Sequence, residues 1–255
     1  MSLTIRAVGV GYVSDVPLAS MTYGHGWGET IDAAMIMFII EGGSSPIVVD
    51  TGTLDEKFTW KHHHQKLSRP ASAEPRAALA SAGYDPSDVS IVVNTHLHWD
   101  HCSNNDMFTA ARFVVQRREV EYADDPLPIH RRGYEKIPGV TPPWISTRHR
   151  IEQVDGDQEI AEGVRVVSLP GHTPGSQGVL VDTAQGPFLI AGDTVDLHAN
   201  WDGTDSLAHV PSSIYSDIFA YYESFEKIES LGCTVIPSHD PKVLQAETFG
   251  QPRSF

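Results

Sequence analysis

The feature that most constrains this chain is a series of short apolar runs that each end in an aspartate- or histidine-bearing turn. Residues 89–94 are mostly apolar and lead into the sequence Thr-His-Leu-His-Trp-Asp-His at 95–101. Apolar runs of this length are typical of strands buried within a sheet. The same arrangement recurs at Asp50, His172, Asp193 and His239. The chain therefore predicts a sheet-based fold whose polar groups gather at strand ends.

Gly, Pro and polar clusters divide the rest of the chain into strands and helices. The predicted strands span residues 3–10, 33–41, 46–52, 89–94, 113–115, 164–169, 178–181, 187–191 and 233–237, and the predicted helices span 75–83 and 216–231. Both halves repeat strands, a helix and a strand that ends in a histidine-bearing turn, which favours two similar sheet layers with helices outside.

We expect a single domain over residues 1–255. Residues 54–72, which include His62-His63-His64, are predicted to form an exposed loop or helix, with the three histidines in solvent. Residues 124–150 are rich in Pro, Arg and aromatics without a clear period. They are predicted to be an irregular insertion that acts as a lid over a substrate site.

Composition excludes several classes of protein. The chain has 255 residues with 18 basic and 33 acidic side chains, a net charge of −15, so it repels phosphate backbones and no nucleic-acid partner is expected. Its apolar runs are shorter than the ~20 residues that cross a bilayer, and its start lacks the apolar region of a signal peptide. Cys102 and Cys233 cannot form a disulfide framework. We expect a cytoplasmic protein without a membrane partner, a monomer or homodimer.

The 13 histidines are numerous beside 18 Lys and Arg, and many of them stand at the strand ends, where imidazole and carboxylate groups suit divalent metals. In an extended segment residues two apart point the same way, so His96 and His98 can bind one ion. His101 turns elsewhere as the chain enters a helix, so one run can serve two ions. We predict His96, His98 and His172 for the first ion, Asp100, His101 and His239 for the second, and Asp193 as a bridge. Zn²⁺ is expected, with Mn²⁺, Fe²⁺ and Co²⁺ as alternatives.

The order of these motifs resembles that of the metallo-β-lactamase-fold hydrolase superfamily, and the likeness extends from residue 49 to residue 240. Residues 94–101 with Asn104-Asn105, and the ending at 237–241, are most similar to the N-acyl homoserine lactonase-like branch. The resemblance implies an α/β fold: an αββα sandwich of two mixed β-sheets with helices on the outer faces and a dinuclear site at one edge. It also implies that Asp50 hydrogen-bonds a metal-ligating histidine rather than the metal.

The sequence departs from that branch at Asp196. Quorum-quenching lactonases typically carry a tyrosine three residues after the bridging aspartate, where it polarises the substrate carbonyl. The missing phenol implies a substrate other than an acyl-homoserine lactone, because a carboxylate suits a polar or cationic group on another cyclic substrate. The predicted catalytic residues are Asp100, Asp193 and Asp196. The predicted pocket residues are Tyr23, His25, Trp27, His198 and Trp201.

Together these features predict hydrolysis of a small cyclic ester, a lactone, by a hydroxide that bridges two metals and attacks the carbonyl carbon. Asp100 or Asp193 would pass the proton to the leaving oxygen. The alternatives are a thioesterase of the glyoxalase II type, a hydrolase of another cyclic amide or ester, and a metal-binding module without turnover. Glyoxalase II-type enzymes usually carry a basic C-terminal region, which the short stretch at 251–255 does not match.

Overall fold

Two β-sheets pack face to face in the computed structural model, which describes residues 2–246 and 248–251. Residues 252–255, most of the short C-terminal stretch, lie outside the described residues. The strands of the first sheet are β1 (Thr4–Pro17), β2 (Thr30–Glu41), β3 (Ile47–Val49), β4 (Lys66–Ser68), β5 (Ile91–Val93), β6 (Arg112–Gln116) and β7 (Ile151–Val154). Their order in space is β4-β1-β2-β3-β5-β6-β7. Neighbours from β3 to β7 are parallel, and the other pairs are antiparallel.

The second sheet is built from the C-terminal part of the chain. Its strands are β8 (Gln158–Ala161), β9 (Val164–Ser168), β10 (Gln177–Thr183), β11 (Gly186–Ile190) and β12 (Thr234–Ile236). Their order in space is β12-β11-β10-β9-β8. Only the pair of β11 and β12 is parallel among the described strands of this sheet. Both sheets are therefore mixed.

Seven α-helices connect the strands within the described residues. They are α1 (Leu18–Met21), α2 (Glu56–His63), α3 (Pro75–Ser81), α4 (Trp99–Cys102), α5 (Arg117–Asp124), α6 (His198–Asp202) and α7 (Ile218–Leu231). The longest, α7, begins at the Asp217 side chain, which accepts hydrogen bonds from the backbone N–H groups of Phe219 and Ala220, and it ends at Gly232 in the left-handed region. None of the helices in this part of the chain combines the length and the apolar character needed to cross a bilayer.

Three apolar layers hold the sheets and helices together. Alternate side chains of β2 point in opposite directions, and both faces are buried. Phe38 joins a cluster between the two sheets, whereas Met37 joins a second cluster that includes Leu79 of α3. A third cluster places Leu180 of β10 against Phe225 of α7. The order helix, sheet, sheet, helix confirms the predicted αββα sandwich.

The structure shifts several predicted boundaries. Strand β1 continues to Pro17 rather than residue 10, because its pairing with β2 resumes beyond two irregularities. Strands β7 and β8 are not predicted by the sequence pattern, since Ile-Glu-Gln-Val and Gln-Glu-Ile-Ala offer few apolar residues. Between α5 and β7 the chain forms turns and two 3-10 helices, Pro143–Ile145 and Arg148–Arg150. The role of residues 124–150 as a lid stays a prediction.

Parallel pairing brings the polar strand ends to one edge of the sandwich. Val49 of β3 lies opposite Val93 of β5, so Asp50 and the turn that contains His96 leave the sheet side by side. In the second sheet, β11 and β12 are parallel and in register at their ends. Asp193 and His239 follow these two strands. The edge that carries all four residues is therefore the candidate functional site.

Candidate metal centre

Seven predicted ligands lie together at this edge. Three groups each present ligand atoms within 4.8 Å of one another: His96, His98 and His172; His96, His101 and Asp193; and Asp100, His101 and His239. The first and third groups match the two sets predicted from spacing. His96 and His98 come from the turn after β5, whereas Asp100 and His101 lie on α4. The helix gives these last two a different direction.

The Asp193 carboxylate lies between the two sets of imidazoles. Its Oδ2 atom is 3.8 Å from His96 Nε2 and 3.5 Å from His172 Nε2. Its Oδ1 atom is 3.2 Å from both His101 Nε2 and His239 Nε2. Each oxygen therefore faces one set, which is the arrangement of a bridging ligand.

Asp100 completes the second group. Its Oδ2 atom is 3.8 Å from the Nε2 atoms of both His101 and His239. The Asp100 side chain is 17% exposed, whereas that of Asp193 is 9% exposed. Asp100 is therefore the carboxylate of the cluster with more access to solvent.

Hydrogen bonds to Nδ1 aim several imidazoles at the centre. His101 Nδ1 lies 2.8 Å from the Asp50 carboxylate, His172 Nδ1 lies 2.8 Å from the carbonyl oxygen of Ile214, and His239 Nδ1 lies 2.9 Å from that of Ala34. A carbonyl or carboxylate at Nδ1 fixes the proton there and leaves the Nε2 lone pair for a metal.

Asp50 supports the centre from outside it. Its carboxylate accepts hydrogen bonds from the Thr95 backbone N–H at 2.8 Å and from the Thr95 hydroxyl at 2.7 Å, besides its contact with His101. Asp50 has a φ of 57°, in the left-handed region that is costly for a non-glycine residue. Its role as the outer partner of a metal-ligating histidine stays a prediction.

The donor set fits divalent metal ions. The buried Nε2 atom of His96 has no hydrogen-bond partner within the described residues, and the buried Nε2 atom of His101 faces the Asp193 carboxylate at 3.2 Å. Burial lowers the pKa values of His96, His98 and His172, which favours the neutral imidazole that binds a metal. Unpartnered buried nitrogens are costly in a protein, and a metal ion in the centre would satisfy them.

Carboxylates have the opposite effect on the second set. Burial alone would lower the pKa of His239, but the Asp193 carboxylate outweighs it and raises that pKa to about 9. The pKa of His101 is likewise held well above its usual range by Asp193, Asp50 and Asp100 against the effect of burial. Without a metal, protons on these two imidazoles balance the charge of Asp193.

A cavity of about 620 Å³ opens over the centre. His98, Asp100, His172 and Asp193 are among the residues that line it. Its other walls include the half-exposed apolar side chains of Leu127 and Ile214 and the exposed side chain of Ile129. A smaller pocket of about 100 Å³ adjoins the same aspartates and is lined by Val13, Val16, Met21, Ala33, Met35 and Asp196, among others. The centre is therefore open to a small molecule with apolar parts.

The sequence comparison identifies the family. The profile of the Metallo-beta-lactamase superfamily matches residues 36–239. The chain belongs to this superfamily. The predicted superfamily and the predicted class of metal-dependent hydrolase are thereby confirmed.

Individual members of the superfamily share both sequence and fold with the chain. It is 29% identical over 196 residues to an N-acyl homoserine lactonase of a Bacillus species, covering 73% of this chain and 74% of that protein. It is 28% identical over 226 residues to the lactonase AttM of Azorhizobium caulinodans, covering 85% of each. A solved N-acyl homoserine lactone hydrolase, with the product N-hexanoyl-L-homoserine at its catalytic metal centre, superimposes with a TM-score of 0.76 at 21% identity over 95% of each chain.

Asp196 lies beside the metallo-β-lactamase centre rather than in solvent. Its side chain is buried, lines the small pocket, and has an Oδ1 atom without a partner among the described residues. Burial and the nearby Asp193 carboxylate raise the pKa of Asp196 well above its usual range. The residue is therefore a buried carboxyl group at the wall of the small pocket.

The other predicted pocket residues do not line either cavity over the centre. Tyr23 lies 6.0 Å from Tyr215 between ring centroids, and Trp27 is 78% exposed. His198 pairs with Asp240, with 2.7 Å between Nδ1 and Oδ2. The remaining two are His25, on the exposed loop, and Trp201, whose ring stacks on His209.

The sequence did not reveal two buried groups near the centre. His63, predicted to be in solvent, is buried at the end of α2, where its Nε2 atom is 3.2 Å from a Glu135 carboxylate oxygen and its ring stacks on Trp99 at 3.9 Å. Glu119 of α5 is fully buried beside the turn that carries His98. The histidine run at 62–64 gives no sign that His63 is buried, and Glu119 stands in no motif, because the partners of both residues come from distant parts of the chain.

Proposed function

We propose that this protein is a lactonase, a dinuclear metal-dependent hydrolase that opens a small cyclic ester. The observation that carries the proposal is the Asp193 carboxylate, whose two oxygens face separate sets of imidazoles beneath an open cavity. Relatives that are N-acyl homoserine lactonases support the same class of substrate.

We propose two ions in the centre. His96, His98 and His172 would hold the first, Asp100, His101 and His239 the second, and Asp193 would contact both. Zn²⁺ suits these nitrogen and oxygen ligands, and Mn²⁺, Fe²⁺ and Co²⁺ are alternatives. When bound, such ions supply Lewis acidity toward an ester carbonyl and make a water nucleophile accessible near neutral pH.

The carboxylates of the centre divide the remaining work. Asp193 is enclosed by four imidazoles and serves best as a ligand. Asp100 is more exposed and lines the cavity. Its carboxylate can accept a proton from the attacking water and deliver it to the leaving alkoxide oxygen.

Asp196 would contact the substrate from the small pocket. Its unpartnered Oδ1 atom is available to a polar group of the substrate, and apolar residues such as Val16, Met21 and Met35 surround that group. The large cavity adds apolar walls at Leu127 and Ile214. We therefore propose a lactone with an apolar arm in the large cavity and a hydrogen-bonding group near the ring.

A substrate panel tests this function. Purified protein of known metal content is assayed with unsubstituted lactones, acyl-homoserine lactones of short and long chains, a glutathione thioester, a β-lactam and a phosphodiester. We expect ring opening of lactones, detected by release of one proton per turnover, and its loss in Asp100→Asn. Activity on the thioester alone, or none in protein that holds two metals, would contradict the proposal.

A further inference from the structure

Glu119 is a buried carboxylate that the proposed reaction does not use. Its residue is fully enclosed in the first turn of α5, and no cation forms an ion pair with it within the described residues. Removing a carboxylate from water is expensive unless hydrogen bonds replace its hydration. The partners of Glu119 should therefore explain why it is there.

Donors from separate segments satisfy this carboxylate. Oε1 accepts hydrogen bonds from the Leu97 backbone N–H at 2.9 Å and from the Tyr134 hydroxyl at 2.8 Å. Oε2 accepts a hydrogen bond from the Thr173 hydroxyl at 2.6 Å. One side chain thus joins α5 to three loops.

These partners are neighbours of one set of imidazoles. Leu97 stands between His96 and His98, and Thr173 directly follows His172. The Tyr134 ring packs edge-on against the His98 ring, with 4.6 Å between centroids. Every segment that carries a member of the first metal set is therefore tied to Glu119, directly or through one residue.

The loop that follows His172 packs closely against α5 beside Glu119. A Cβ atom added at Gly175 would lie 2.2 Å from the backbone nitrogen of Glu119, so this loop lies directly on α5. Within the loop, the Ser176 hydroxyl accepts from the Thr173 N–H at 3.0 Å and lies 2.8 Å from the Thr173 hydroxyl. The loop is therefore held against α5 by backbone packing as well as by the hydrogen bond from Thr173 to the Glu119 side chain.

We infer that Glu119 is the positioning residue of the first metal site, holding the His96–His98 turn and the His172 loop at the spacing that one ion needs. It contacts neither substrate nor metal. Asp50 would have the corresponding positioning role at the second set, because it contacts the Nδ1 atom of His101. The inference rests on the proposed metal binding, but not on which ester is cleaved.

The identity of the side chain matters because all its partners are donors. A carboxylate offers only acceptors, whereas glutamine replaces one oxygen with an NH₂ group that would face a donor. Glu119→Gln keeps the size of the side chain but replaces one acceptor with a donor that faces another donor. Thr173→Val removes one donor, and Thr173→Ser retains it as a matched control.

The test measures metal affinity in single-site backgrounds. Zn²⁺ binding is titrated against a chromophoric chelator in His239→Ala, where the first site is left, and in His172→Ala, where the second is left. In the His239→Ala background, we expect Glu119→Gln to lower the affinity for Zn²⁺ by on the order of 10- to 100-fold. In the His172→Ala background, we expect the affinity to stay unchanged. Thr173→Val should give a smaller loss, and Thr173→Ser should restore affinity.

Each outcome decides between explanations. The inference would be overturned if Glu119→Gln lowered the Zn²⁺ affinity equally in both backgrounds, or if it left the affinity unchanged in both. If Glu119→Gln fails to fold, the pair Thr173→Val and Thr173→Ser decides the same question. A Co²⁺ absorption spectrum that changes in Glu119→Gln only in the His239→Ala background would support it independently of activity. If the unmodified protein binds no metal, the proposed function itself fails.

Discussion

At the scale of the residue, the centre contains histidines with opposite protonation tendencies. Burial lowers the pKa values of His96, His98 and His172, whereas Asp193 raises that of His239 to about 9. A metal must therefore displace protons from the second set, while the first set is ready to bind. Metal uptake should release protons, and the release should diminish as the pH rises toward 9.

Stability of the metal-free protein should depend on pH through His239. Its pKa is about 9 in the fold and 6.5 in the unfolded chain, so its protonation stabilises the fold fully below pH 6.5 and ceases to do so as pH rises through 9. The loss is ~3 kcal/mol by the usual conversion of a pKa difference. Urea unfolding of chelated protein at several pH values measures it. The decline of the unfolding free energy with rising pH should be shallower in His239→Gln. An equally steep decline in that variant would contradict the assignment to His239.

Asp196 offers a second test at this scale. Asp196→Ala should reduce turnover on the best lactone by about 10- to 100-fold, because one hydrogen bond that stabilises the substrate in the transition state is lost. Two metals should stay bound, as elemental analysis would record. Asp196→Tyr should raise activity on acyl-homoserine lactones by restoring a phenol. Unchanged turnover in Asp196→Ala would show that the side chain serves the fold alone.

Metal content separates the bridging ligand from the others. Asp193→Ala should lower the content from two ions per chain to below one, since its oxygens face both sets. His172→Ala should remove one ion, and Cys233→Ala, away from the centre, should remove none. Mass spectrometry of protein prepared without chelator measures all three. A full complement of metal in Asp193→Ala would exclude a bridging role.

At the scale of the element, the segment between α5 and β7 packs closely against His98, a proposed metal ligand. A Cβ atom added at Gly133 would lie 2.9 Å from His98 Nε2, and the Gly133 carbonyl accepts a hydrogen bond from the Trp99 N–H at 2.9 Å. Gly133 is thus required by close approach and not by an unusual φ.

Gly133→Ala should displace His98 and lower the affinity of the first site for its ion by about 10-fold, because the packing that orients this imidazole is disturbed. Gly43→Ala is the matched control, because a Cβ atom there has its nearest neighbour at 3.7 Å. Chelator titration and thermal melting of both variants test this. Equal metal affinity in the two variants would show that the segment yields without moving His98.

The elements also show what sequence alone can predict. The strands that end at Asp50, His96, Asp193 and His239 are apolar and short, so their type and the gathering of their ends follow from pattern and parallel pairing. Strands β7 and β8 escape prediction, since pairing partners rather than residue types make them strands. Glu119 escapes for the same reason: its donors lie 15 to 54 residues away.

At the scale of the whole molecule, the proposed metal ligands come from segments that follow strands of both sheets. The first sheet provides His96, His98 and His101, and the second provides Asp193 and His239. Metal ions would therefore bind only when the two sheets are correctly packed, and binding stabilises a fold according to affinity and concentration.

Removal of metal should lower the melting temperature markedly, and restoring Zn²⁺ should recover it. Activity should fall together with metal content as the pH drops, because protons compete for the imidazole ligands and the pKa of His239 is already raised to about 9. Differential scanning calorimetry of chelated and reloaded protein measures the first effect. Identical melting of the two forms would indicate that no metal bridges the sheets.

The two sheets are also consecutive in the chain, because the first ends at Val154 and the second begins at Gln158. A cut in the intervening turn would produce two fragments, each with an incomplete set of ligands. The apolar cluster between the sheets would bring such fragments together, and ions bound at the centre would add to that attraction, so the fragments should associate more tightly with Zn²⁺ than after chelation. The sequence order of the sandwich thus makes the association of two fused partners sensitive to metal.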